Sequence, residues 1–113
     1  MLPKKFRLTR KKDFEKISRK GKHFGGAFFI LRTIENGLDY SRFGFVVSLK
    51  VSKKAVTRNK IRRQLHEMAR VNFARIKNGF DALIIARPEI KEKSYQEIER
   101  ALFEALEKGE LLT

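Results

Sequence analysis

The sequence predicts an α+β fold, a two-layer sandwich of helices on a small sheet. Three observations lead there: the periodicity alternates between helical and strand type along 113 residues, the composition is 42% hydrophobic with ten Phe, and a capping-box pattern opens the last apolar-periodic stretch. That length suits one domain, 1–113, able to bury about 65% of the surface its unfolded chain would expose. The elements follow in order. KKDFEKISRK, residues 11–20, carries Phe14 and Ile17 at helical spacing and runs into Gly21, where a left-handed cap is expected. Ala27 to Thr33 and Arg42 to Leu49 read as strands with Glu35-Asn36-Gly37 as a turn between them, which predicts an antiparallel hairpin. An extra strand fits where 24–30 or 46–51 is split.

Lys54 to Phe73 reads as the main helix. At 100° per residue Ile61, Leu65, Met68 and Ala69 fall within one arc of about 100°, the core face. Arg58 and Arg62 line one flank of that stripe, with His66 continuing the row, while Asn59, Arg63 and Arg70 lie on the outer surface. Asn78-Gly79 stops the helix, and Asp81 to Arg87 is an apolar run of buried-strand type ended by Pro88. Ser94-Tyr95-Gln96-Glu97 then opens a helix with Ile98, Ala101, Leu102, Ala105 and Leu106 on one side and Gly109 behind it.

Charge says which partner such a domain meets. The formal net charge is +14, unevenly spread: residues 1–24 carry +8, 25–49 balance, 50–77 carry +9 and 78–113 carry −3. Two basic segments around a neutral middle create a directional field suited to a polyanion. There is no Cys, so disulfides and thiolate metal sites are excluded, and a reducing cytoplasm fits. The longest apolar runs, 27–31 and 82–86, are too short for an export signal or a membrane span. His23 and His66 both lie in basic neighbourhoods, and the acids of the last helix are spaced for its solvent face, so no catalytic or metal constellation stands out. Arg58, Lys60, Arg62 and Arg63 within six residues offer charge and forked donors to an RNA backbone. Phe14 and one alternating strand face, Phe28, Ile30 and Arg32 or else Phe29 and Leu31, are candidates for stacking unpaired bases.

The stretch RFGFVVSLKVSKKAVTRNKIRRQLHE resembles the signature region of the bacterial ribonuclease P protein component family. Gly44, the strand Phe45 to Ser48, Lys50, Ala55, Arg58-Asn59-Lys60, Ile61, Arg62-Arg63 and Leu65 stand at the family's spacing. Leu8, Asp13-Phe14, Gly21, Phe28-Phe29 and Asp81 to Arg87 extend the likeness over nearly the whole chain. The resemblance implies a small central mixed sheet with a left-handed βαβ crossover, against the usual right-handed preference. It implies a subunit of an endoribonuclease whose catalytic centre and Mg²⁺ belong to a catalytic RNA, with no metal held tightly by the protein. Lys53, Lys54, Arg58, Asn59, Lys60, Arg62 and Arg63 are thereby assigned to the catalytic RNA. Phe14, Phe28, Arg32, Arg58, Arg62 and His66 are assigned to the single-stranded 5′ leader of precursor tRNA. No membrane and no obligate protein partner are expected. Lys60 where the family has Arg, His66 where it has Lys or Arg, and Ser18 where it often has an aromatic are departures.

Other classes fit less well. A ribosomal protein shares the charge and size but does not account for Arg-Asn-Lys-Ile-Arg-Arg behind the Gly-Phe-Val-Val strand. A helix-turn-helix protein needs a short helix where residues before Lys54 read as strand, and a protein nuclease lacks ligands.

Overall fold

In the computed structural model, which describes residues 2–113, a four-stranded mixed sheet is flanked by three α-helices. After a short 3-10 turn at Lys4–Phe6 come α1 (Lys11–Lys20), β1 (Lys22–Gly25), β2 (Phe29–Glu35), β3 (Arg42–Val46), α2 (Ala55–Val71), β4 (Phe80–Ala86) and α3 (Tyr95–Lys108). The strand order is β1-β2-β4-β3. β2 is antiparallel to both neighbours, and β3 runs parallel to β4 through the crossover helix α2.

This order corrects the expected hairpin. The segments 27–33 and 42–49 are not neighbours, because β4 inserts between them and pairs from Phe29↔Ala86 to Glu35↔Phe80 on one side and from Arg42↔Asp81 to Val46↔Ile85 on the other. The hairpin is instead β1 with β2, and β1 is the extra strand. A central position explains why β4 reads as a continuous apolar run: with both faces covered, there is no alternation to see.

Alternate residues of the sheet face two different layers. Phe29 and Leu31, Phe43 and Phe45, and Ala82, Ile84 and Ala86 form the main core with Ile61, Leu65, Met68 and Ala69 of α2 and Ile98, Leu102, Ala105 and Leu106 of α3. The apolar arc read from the α2 sequence is thus its buried face. The α3 start is a capping box, Ser94 Oγ accepting from the Glu97 N–H at 3.1 Å and Glu97 Oε1 from the Ser94 N–H at 3.1 Å.

Against the other sheet face lies α1, with Ile17 and Leu8 packed on Leu83 and with Phe14, Ile34, Val46 and Ile85 around them. Gly21 caps α1 in extended, not left-handed, backbone (φ −72°). Space is what requires a glycine there: a Cβ would sit 2.5 Å from the Ile17 carbonyl oxygen and 3.0 Å from that of Thr33. An ionic clamp fixes the other end of the helix. The Arg42 guanidinium donates to both carboxylate oxygens of buried Asp81, at 2.8 and 2.7 Å, and lies 3.5 Å from Asp13 of α1. Asn36 donates to the same Asp81 at 2.9 Å, tying in the β2–β3 turn, where Gly37 takes the expected positive φ of 72°.

Candidate nucleic-acid interface

The basic residues of α2 separate as the helical period requires. Asn59, Lys60 and Arg63 are exposed, Arg58 and Arg62 are half buried beside the apolar stripe, and Lys53 and Lys54 are exposed in the loop before the helix. Their guanidiniums are not free rods. Arg58 donates through one terminal nitrogen to the carbonyls of Ser52 and Lys53, both at 3.0 Å, and so holds the β3–α2 loop against the helix it precedes. Arg62 donates to Asn59 Oδ1 at 2.6 Å. Each keeps its remaining donors for a phosphate, at an orientation already fixed.

His66 departs from the surface row expected of it: it is 6% exposed, its ring 4.6 Å from that of Phe45. Burial, then the charges of Arg7 and Arg62, push its pKa down to about 4, which keeps the imidazole neutral. The reason for its burial is outside the helix period. The Phe45 ring of β3 packs against the imidazole, and Arg7, bridged to Phe43 beyond β3, stands near enough for its charge to act on it. Arg7 is also the cation that the sequence reading missed, since only that bridge brings it to α2.

The second region is the sheet face on the α1 side. Its first row crosses β3, β4, β2 and β1 as Gly44, Leu83, Arg32 and His23. The next is Val46, Ile85 and Ile30, three apolar residues left half buried. α1 crosses the first row, with Phe14 lying on Gly44 and Arg32 donating to the Ser18 carbonyl at 3.0 Å. A groove of about 480 Å³ follows α1, lined by Lys11, Phe14, Glu15, Ser18 and Arg19. Phe14 belongs both to this groove and to the apolar cluster with Val46 and Ile85, so an aromatic ring stands between the cations of α1 and the half-buried sheet residues, which suits an unpaired strand.

Phe28 is not part of that face. The chain bends at 26–28, where the Gly26 N–H bonds the Phe29 carbonyl at 2.8 Å, and the Phe28 ring packs toward the main core with Lys93 Nζ 5.1 Å from its centre. Strand alternation cannot be carried through such a bend, and this is why the sequence put Phe28 on the wrong side. Two apolar residues that the sequence did not single out, Leu49 and Val56, stand 67% and 78% exposed beside Lys50, Lys53 and Lys54. Among the described residues no group of three or more His, Asp or Glu converges on a point where a metal ion could bind, and no helix is long and apolar enough to cross a membrane.

Known proteins share this arrangement. The family model described as Ribonuclease P matches residues 2–110. The ribonuclease P protein component of Alkaliphilus oremlandii is 38% identical over 106 residues, 94% of this chain and 92% of that one. Among solved structures, the ribonuclease P protein of Staphylococcus aureus superposes with a TM-score of 0.88 at 30% identity, covering 96% of this chain and 98% of its own. That of Thermotoga maritima gives 0.83 at 33%, covering 90% and 96%. With its basic crossover helix, its half-covered sheet face and a match along nearly its whole length, the chain belongs to the ribonuclease P protein family.

Proposed function

We propose that this chain is the protein subunit of ribonuclease P, acting as one domain in the cytoplasm with a catalytic RNA on precursor tRNA. The observation that carries the reading is the pairing, on one small domain, of a pre-oriented basic helix with a separate apolar cleft. The helix, through Lys53, Lys54, Arg58, Asn59, Lys60, Arg62 and Arg63, docks on the catalytic RNA. The cleft, walled by Phe14 and edged by Arg32, takes the single-stranded 5′ leader, with Arg58 and Arg62 in the α2 row that His66 continues against Phe45 of β3.

Mature tRNA lacks the leader, so a grip on the leader favours precursor over product without any chemistry on the protein. The RNA cuts the phosphodiester and holds the Mg²⁺; the protein neutralises phosphates that would otherwise repel one another as the RNA folds. Buried His66 supports Phe45 beneath the α2 flank and does not touch the leader itself.

The test is cleavage of a precursor tRNA by a bacterial ribonuclease P RNA at limiting Mg²⁺, with and without this protein. Restored cutting at the 5′ boundary, and none by the protein alone, is the expected result. RNA binding without any effect on cleavage moves the chain toward a ribosomal role, and cleavage by the protein alone overturns the division of labour.

A further inference from the structure

Behind the outer row of α2 the helix meets the start of α3, and a second groove of about 390 Å³ opens there, lined by Lys60, Arg63, Gln64, Glu67 and Tyr95. We propose that Tyr95 is a stacking platform for one unpaired base of the catalytic RNA, held there while Lys60 and Arg63 contact the phosphates on either side. This rests on the reading that α2 docks on that RNA and adds to it a residue outside the helix.

Five features point to a nucleotide. The Tyr95 ring is half buried and packed on the main core, so it presents a surface already immobilised and loses little freedom on binding. It is the first residue of α3, whose start the Ser94–Glu97 capping box fixes. Glu67, the single acid lining the groove, is engaged by Arg70, whose Nε donates to it at 3.0 Å, so the groove presents net positive charge. The Tyr95 phenol is neutral at ordinary pH, and burial and the nearby carboxylates of Glu99 and Glu67 raise its pKa further, so it adds no charge against a phosphate. Gln64 supplies an amide donor and acceptor to the edge of a base stacked on the ring. This groove shares no lining residue with the one along α1 beside Phe14.

The chain has no Trp, so Tyr95→Trp places a single indole in the groove with its stacking face retained. Bound to catalytic RNA, that variant is expected to keep wild-type affinity while its emission is quenched and shielded from acrylamide. Tyr95→Leu, which still fills the core beneath, is expected to bind the RNA about ten-fold more weakly. Its slope of log affinity against log salt stays that of wild type, because no cation is lost, whereas Lys60→Ala makes the slope shallower. An unquenched, accessible indole on bound RNA, or wild-type affinity in Tyr95→Leu, overturns the proposal and leaves the docking of α2 intact. If the wild-type chain does not bind the catalytic RNA at all, the proposed function and this inference fall together.

Discussion

The ring of Phe14 rests on the bare backbone of Gly44: a Cβ there would lie 3.0 Å from Phe14 Cε1, 3.2 Å from Leu83 Cδ1 and 3.3 Å from Leu8 Cβ. Gly44 is therefore the seat on which the aromatic wall of the cleft stands. Gly44→Ala is expected to lower stability by about 1–3 kcal/mol, the usual cost of overpacking. In Phe14→Ala the crowding from the ring is gone, so the same substitution costs less there, and urea unfolding of the four proteins in a double-mutant cycle reads the coupling. Additive losses would show that α1 shifts freely and that Gly44 does not place Phe14.

Arg58 has two tasks and Arg63 one. Because Arg58 holds two loop carbonyls, Arg58→Ala is expected to lose about 1 kcal/mol of stability in addition to RNA affinity. Arg63→Ala, at an exposed position with no intramolecular hydrogen bond among the described residues, is expected to melt as wild type does and lose affinity only. Thermal unfolding alongside RNA binding separates them, and equal melting of the two variants would remove the structural task from Arg58.

His66 makes stability depend on acid. Its folded pKa of about 4 lies below the ordinary 6.5, so between those values the unfolded chain takes up a proton that the folded chain refuses. Its contribution is complete above about pH 6.5 and is lost as the pH falls toward 4, by an amount on the order of 2 kcal/mol. Replacing it by an apolar side chain of similar reach removes the titration. The stability of wild type relative to His66→Leu should fall as the pH drops through that window, and a difference independent of pH would mean that the folded imidazole takes up its proton at the same pH as the unfolded one.

Glu110 is the position at which α3 turns out of its helix. Its φ is 58°, and the Leu111 N–H reaches back to the Leu106 carbonyl at 2.8 Å, the pattern that usually has glycine at this place. Glu110→Gly is expected to raise stability by about 0.5–1 kcal/mol, since a side chain in left-handed backbone is strained. No gain in urea midpoint would mean that the Glu110 side chain compensates in the folded state.

What the sequence determined by itself was local or short in range. The helical period placed the buried arc of α2 and the exposed Asn59, Lys60 and Arg63; Ser94 and Glu97 marked the start of α3; the spacing around Arg58-Asn59-Lys60 identified the family. These signals survive without a fold because they depend on neighbours three or four residues away. Tertiary structure decided the rest. The insertion of β4 between β2 and β3, the bend that takes Phe28 to the helix side, the burial of His66 against Phe45 and the seating of Phe14 on Gly44 all join segments distant in the chain. Strand pairing is chosen by which long-range partners bury the most apolar surface together, and no period within a single segment records that choice.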